Sequence, residues 1–211
     1  MVILSYCATA IAAYLLGSVP TGFLVAKAKG IDIRQVGSGN IGATNVLRAV
    51  GKPAAMFVLV MDGLKGYAAC AWIGELLAHY LDPTADDEVF KIIGGVFAIL
   101  GHNYTCWLYF KGGKGIATSA GVLVALVPMA LLLILSIWIL VFALTRYVSL
   151  ASIAASFALP FAAWLTGRSI SLILVTTALA ALAIYKHKAN IERLLRGTES
   201  RFGSRNKEAT P

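Results

Sequence analysis

Long apolar runs separated by short polar connectors set the rhythm of this chain. The runs cover residues 3–26, 54–73, 89–107, 116–144, 148–165 and 170–185. A helix needs about 20 apolar residues to cross a hydrocarbon layer of ~30 Å, so the pattern predicts an all-α integral membrane protein. Read as one helix, 116–144 gives six spans and puts both termini on one side. The basic loop 27–53, carrying Lys27, Lys29, Arg34, Arg48 and Lys52, would then face away from the basic C-terminal tail, against the positive-inside rule. Breaking that run at Pro128 restores the rule. Seven transmembrane helices then place the N-terminus outside and the C-terminus in the cytoplasm. Residues 27–53, 108–115, Arg146 and the tail share one side, and the acidic 74–88 loop takes the other. The two halves, 116–127 and 129–145, are short for ordinary spans, and short or broken helices survive in a bilayer only against protein or along a cavity.

Composition agrees with that pattern. Of 211 residues, 59% are hydrophobic and 13% charged, about half the charged share of a soluble domain, and the mean hydropathy is +0.80. The net charge of +8 is uneven: five of ten acids lie between Glu75 and Glu88, and seven of eighteen bases between Lys186 and Lys207. A short basic tail at a membrane exit predicts topology rather than nucleic-acid binding. The expectation is one transmembrane domain over 1–199 and a loose basic tail over 200–211, without internal repeats. The first run has no basic segment before it and is long for a signal peptide, so it reads as a retained helix. Cys7, Cys70 and Cys106 are isolated and apolar in setting, and suggest neither a disulfide framework nor a zinc site.

Three polar clusters share the predicted cytoplasmic face. The first is VGSGNIGATNVLRAVG, residues 36–51. Its glycines, Gly39 among them, let backbone N–H groups turn toward an anion. Ser38, Asn40, Thr44 and Asn45 add hydroxyl and amide donors, and Arg48 adds a guanidinium able to fork a phosphate. If 43–50 is helical, Thr44 and Arg48 share a face. A flexible connector with capping residues is the plainer account, but a connector has no need of this donor density.

The second cluster, FKGGKGIATSAG over 110–121, is not a Walker A loop, because Lys114 is followed by Gly115. Gly112, Gly113 and Gly115 make a turn that sets Lys114 at the start of the helix from Ile116. Helix N-termini attract anions. A lysine there is unfavourable unless a negative ligand lies between, or unless it merely obeys the positive-inside rule. The third cluster is YKHKANIERLLRGTESR, 185–201, where a helix lines His187, Asn190 and Arg193 along one flank. His187 and Glu192 also spell HxxxxE, but that spacing on a straight helix points the carboxylate away from the histidine. A basic tail with its histidine at headgroup level is the competing account.

Weaker signals remain. Asp62 and Lys65 sit three apart inside an apolar run, where charges are functional candidates yet can neutralise each other as a structural pair. His102 in GHNY fits buried packing as well as catalysis. Ser149 and Ser152 in RYVSLAS could face one cavity or bond back to their own helix. No GxSxG elbow, HExxH or metal-ligand spacing occurs, so neither covalent nor metal catalysis has visible apparatus and no cofactor is expected. What the residues could assemble is a set of phosphate clamps.

GSGNIGATN, KGGKGIAT and HKANIERLLRGTE, in that order, resemble the three signature motifs of the bacterial membrane-integral glycerol-3-phosphate acyltransferases that use acyl phosphate, the PlsY family. YLLGSVPTGFLVAK and RYVSLAS extend the likeness over nearly the whole chain. The resemblance implies seven helices in the bacterial inner membrane with the active site toward the cytoplasm. It implies acyl transfer from acyl phosphate to sn-glycerol 3-phosphate, giving 1-acyl-glycerol 3-phosphate and inorganic phosphate, without acyl-CoA, a nucleic acid or an obligatory protein partner. Carried over by motif, the catalytic positions are Lys114, Arg48, Ser38, His187 and Asn190. Gly39, Asn40, Thr44, Asn45, Gly112, Gly113, Gly115 and Ser152 bind substrate, and Glu199 falls on a structural position. The leading alternative is a transporter of phosphorylated or anionic molecules, which would show paired interruptions in two related halves. A scaffold binding anionic lipid through its tail is a third, and leaves the first two clusters unexplained.

Overall fold

The computed structural model describes residues 2–81 and 86–203. Among them every regular element is helical. The chain divides at Pro128 into two compact units.

In the first unit, α1 (Val2–Ser18) and α2 (Thr21–Lys27) are interrupted where Pro20 removes a backbone donor. Together they give one apolar stretch of 26 residues. After a 15-residue irregular segment come α3 (Ala43–Ala49) and α4 (Lys52–Tyr67), the latter opened by Pro53, whose fixed φ suits a first helical turn. A π-helical turn, Ala68–Ile73, leads into α5 (Gly74–Leu81). Asp86 caps α6 (Asp87–Asn103) by accepting the Glu88 N–H at 2.8 Å. A 3-10 turn, Cys106–Leu108, and the glycine loop then lead to α7 (Ile116–Leu126).

Small residues let these helices touch backbone to backbone. Gly17 of α1 lies on the Ala98 carbonyl of α6, and Gly121 of α7 on the Gly63 carbonyl of α4; a methyl at either would collide. In lipid, where apolar surface gains little from leaving its surroundings, such close approach is what holds helices together. Ala26, Ile33, Ile41, Val46, Ala55, Val58 and Leu108 form an apolar core beneath the irregular segment. That core fixes the first polar cluster on a rigid base.

The second unit begins at Met129, the second residue of α8 (Pro128–Thr145), and holds α9 (Val148–Leu165), α10 (Ile170–Lys186) and α11 (Lys188–Leu195). Arg146, in the left-handed region at φ 60°, turns α8 into α9. The chain bends by 56° between α10 and α11 at His187. α8 presents Leu132, Leu133, Leu135, Ile139 and Leu140 outward, as a lipid-facing helix does.

Several expectations change. The 116–144 run does break before Pro128, because α7 ends at Leu126 and α8 starts at Pro128. The second half is not short, however: α8, with 18 residues, is long and apolar enough to cross a membrane. Among the described residues five helical stretches meet that description, six if α10 and α11 count as one bent span, while α7 at 11 residues does not. Residues 74–81, expected in the acidic loop, are helical instead. Leu76, Leu77, Ala78 and Leu81 favour helix, Ala78 is buried, and Gly74 lies against the α6 backbone at Phe90 and Lys91. The tail expected to be loose from 200 is tied down over its first residues. Phe202 donates its N–H to the Arg146 carbonyl at 2.8 Å, and the Arg201 Nε donates to the Tyr147 hydroxyl at 3.0 Å. Residues 204–211 of that tail lie outside the described residues.

Candidate functional site

In the first unit, Asn45 builds the loop that carries the first cluster. Its side chain is 2% exposed. Oδ1 accepts the Ser38 N–H at 3.0 Å, while Nδ2 donates to the carbonyls of Ile33 at 3.2 Å and Val36 at 2.9 Å. Gly37 and Gly39 take the left-handed turns, at φ 61° and 67°, that let the loop close over it. Asn40 accepts the Gly42 N–H at 2.9 Å, shaping the approach to α3. Thr44 and Arg48 stand one turn apart on α3, as expected, and Ser38 and Arg48 are exposed. So the donors divide into two groups: Asn45 and Asn40 hold the backbone, and Ser38 and Arg48 face outward.

The glycines of the second cluster are explained by what they lie against. The Gly112 and Gly113 N–H groups donate to the carbonyls of Asn103 and His102 at 3.2 and 3.0 Å. These amides therefore clasp the end of α6. A methyl on Gly112 would strike the His102 carbonyl, one on Gly113 the His102 imidazole, and one on Gly115 (φ 79°) the Asn103 amide oxygen at 2.7 Å. Lys114 rides on this clasp directly before α7, whose first N–H groups and dipole favour an anion. A cleft of about 430 Å³ lies beside the two loops, lined by Asp32, Arg34, Gln35, Gly39, Lys111 and Gly112. Arg34 binds Asp32 through two side-chain bonds, 2.9 and 2.7 Å. They lower the Asp32 pKa to about 2.

Below the loops, Asp62 and Lys65 pair at 2.9 Å, as the structural account predicts, and both are buried. His102 joins them, its Nδ1 3.7 Å from Asp62 Oδ1.

The second unit gathers the third cluster around Glu199, whose side chain is 6% exposed. One oxygen accepts from the Ser149 hydroxyl at 2.7 Å and the Asn190 amide at 2.8 Å; the other accepts from the Arg193 Nε at 2.7 Å. Partial burial by itself would raise the pKa of this carboxyl. The hydrogen bonds from Ser149, Asn190 and Arg193 outweigh it and hold Glu199 below the usual carboxylate range. Of the three residues expected along one helical flank, Asn190 and Arg193 meet on Glu199, while His187 lies just outside α11, which begins at Lys188. His187 sits at the bend, 2% exposed, with Nδ1 2.8 Å from the Ala183 carbonyl. A carbonyl only accepts, so Nδ1 carries a proton and donates it along α10. Glu192 is exposed and the ring bonds back along α10, which leaves the HxxxxE spelling without a contact. Ser149 and Ser152 face different partners: Ser152 donates to the Val148 carbonyl at 2.8 Å and accepts from the Trp138 Nε1 at 3.1 Å. Trp138 and Asn103 escaped the sequence reading. The signal for Asn103 is a polar GHN ending an apolar helix beside the glycine loop; for Trp138, ten residues into a uniformly apolar helix, no sequence signal exists.

Comparisons with known proteins agree with one another. The family model described as glycerol-3-phosphate acyltransferase matches residues 7–197. The glycerol-3-phosphate acyltransferase of Geotalea daltonii is 47% identical over 91% of this chain and 95% of its own length. That of Desulforudis audaxviator is 48% identical over 91% and 93%. Among solved structures, the integral membrane glycerol 3-phosphate acyltransferase PlsY in its glycerol 3-phosphate form has a TM-score of 0.84 at 40% identity, over 94% of this chain and 96% of that one. Its lysophosphatidic acid form has a TM-score of 0.81 at 39% identity, with the same coverage.

Proposed function

The chain belongs to the glycerol-3-phosphate acyltransferase family, and we infer that it transfers a fatty acyl group from acyl phosphate to the 1-hydroxyl of sn-glycerol 3-phosphate. The products are 1-acyl-glycerol 3-phosphate and inorganic phosphate, which makes this the first step of phospholipid synthesis. One observation carries the inference: the family match over 7–197 takes in the first two polar clusters whole and the third as far as Gly197, with His187, Asn190 and Arg193 inside it. That solved relatives hold glycerol 3-phosphate and lysophosphatidic acid, an acceptor and its acylated product, supports the same chemistry.

The transfer asks little of the protein in covalent terms. Acyl phosphate is a mixed anhydride, already activated. The acceptor hydroxyl attacks its carbonyl carbon, the carbon–oxygen bond to phosphate breaks, and the hydroxyl proton ends on a phosphate oxygen. Holding the two substrates in line supplies most of the acceleration. Lys114 and Arg48 stabilise negative charge growing on the departing phosphate, and Ser38 adds a hydroxyl donor. Thr44, Asn40, Gly39 and Gly115 shape the phosphate cradle, while Asn45, Gly112 and Gly113 act by fixing its backbone. In the second unit, His187, Asn190 and Ser152 serve substrate orientation, with Glu199 holding Asn190 in place. No side chain is required as proton acceptor, because a substrate phosphate oxygen suffices.

This is a multi-pass membrane protein. For its topology we propose seven membrane helices, with α7 as a short one against protein, N-terminus outside and C-terminus in the cytoplasm of a bacterial inner membrane. The basic loops and tail then lie inside with the active site. The test is lysophosphatidate and phosphate release by detergent-purified protein given glycerol 3-phosphate with palmitoyl phosphate or palmitoyl-CoA. Product from palmitoyl phosphate alone, reduced by about 10²–10³ in Lys114→Ala, is expected. Failure with both donors, in protein that binds glycerol 3-phosphate, would favour the transporter. In sealed vesicles, external glycerol 3-phosphate should be consumed only when the membrane is inverted; consumption by right-side-out vesicles would reverse the orientation.

A further inference from the structure

Among the described residues, Asp62, Lys65 and His102 lie buried within the helices of the first unit. Asp62 is 3% exposed, Lys65 6% and His102 4%. Charges at such depth are expensive and need compensation. Neutralisation explains two of them, since Lys65 Nζ lies 2.9 Å from Asp62 Oδ1 as an ion pair. It does not explain the third, nor where the outer ends of the cluster reach. Lys65 also donates to the Val19 carbonyl at 2.8 Å, at the break between α1 and α2. Asp62 Oδ1 approaches His102 Nδ1 at 3.7 Å. The His102 carbonyl accepts the Gly113 N–H at 3.0 Å, and its imidazole fills the space where a side chain on Gly113 would stand. Gly113 is the residue before Lys114.

We propose that Asp62, Lys65 and His102 form an intramembrane positioning cluster that sets Lys114 for acyl transfer; this rests on the function inferred above. The cluster joins the α1–α2 break, α4, the end of α6 and the glycine loop in one chain of contacts. A well-packed apolar trio would hold these helices at least as firmly. It would not seat an imidazole, held beside Asp62, against Gly113, and the lysine one residue on depends on that backbone. The lack of a side chain at Gly113 and the presence of the His102 ring are two halves of one arrangement. These three residues act through Lys114 and are positioning residues.

The test is a double-mutant cycle on the full-length, detergent-purified enzyme, comparing wild type, His102→Gln, Lys114→Arg and the double variant for kcat on acyl phosphate and glycerol 3-phosphate. If His102 works through Lys114, His102→Gln lowers kcat about tenfold in the wild-type background and less than about twofold beside Lys114→Arg, the non-additivity of residues in one network. A purely architectural His102 gives losses that multiply, which overturns the proposal, as does an unchanged kcat in His102→Gln. Should His102→Gln not yield monodisperse protein, the same cycle is read with Asp62→Asn/Lys65→Met, which leaves no lone charge in the span. It should lose about fivefold alone and little beside Lys114→Arg; multiplied losses there count equally against the idea. A wild-type protein that makes no lysophosphatidate overturns the acyl-transfer inference itself, whereas multiplied losses in an active enzyme overturn only the positioning role.

Discussion

Asn45 and Glu199 do the same job in the two units by different means. Each is a largely buried hub that accepts and organises the hydrogen bonds of one polar cluster. Asn45 is neutral and, among the described residues, its side chain bonds to backbone, at Ser38, Ile33 and Val36. Glu199 is charged and, among the described residues, bonds to side chains, at Ser149, Asn190 and Arg193. The first kind of hub fixes the path of a loop and leaves outward donors such as Ser38 and Arg48 to meet a ligand. The second fixes side chains one by one, and it depends on its own ionisation. A neutral amide satisfies donors and acceptors together, which suits a loop offering both. A carboxylate accepts only, which suits a ring of donors.

The largest effect should come from breaking the charged hub. Glu199→Ala leaves three donors without their acceptor. Loss of a buried ion-pair partner is worth 3–5 kcal/mol, and Arg193, 37% exposed, is partly screened, so about 2–3 kcal/mol is expected. Urea denaturation in mixed micelles should show it together with a kcat loss; a midpoint equal to wild type would remove Glu199 as a hub. Asn45→Ala comes next, at about 2 kcal/mol for leaving a buried donor and acceptors unmet. Because the damage is to a loop path, KM for glycerol 3-phosphate should rise more than kcat falls. A kcat loss at unchanged KM would show Asn45 acting on the chemistry instead.

The smallest effect separates the hubs by pH. Glu199 has a folded-state pKa held below its ordinary value of 4.5. Its contribution is therefore complete above that value and is lost as pH falls through the lower folded-state pKa. Between pH 6 and pH 3 wild type should lose stability faster than Glu199→Gln, while Asn45→Ala should keep the wild-type slope. Parallel slopes in all three proteins would mean Glu199 carries no linked proton.

How much of this was written in the sequence follows from the range of the forces involved. Apolar run lengths and the distribution of lysine and arginine are sums over many residues, so the all-helical membrane class and the break before Pro128 were legible from them. So were the donor-rich loop around Ser38–Arg48 and the helical flank shared by Asn190 and Arg193, because short spacings carry them. The fate of residues 74–81 was not, since the acidic count around them masked a helix that packing against α6 completes. Nor could spacing tell that the glycine-loop amides at 112 and 113 face His102 and Asn103 rather than a ligand, or that Ser149 belongs to Glu199 while Ser152 belongs to Trp138. Those contacts join separate segments, as far as 50 positions apart in the chain. Composition and period determine which face of a helix is apolar and where a turn is possible; only the tertiary structure decides which donor meets which acceptor, because each such pair is fixed by the close approach of two separate segments.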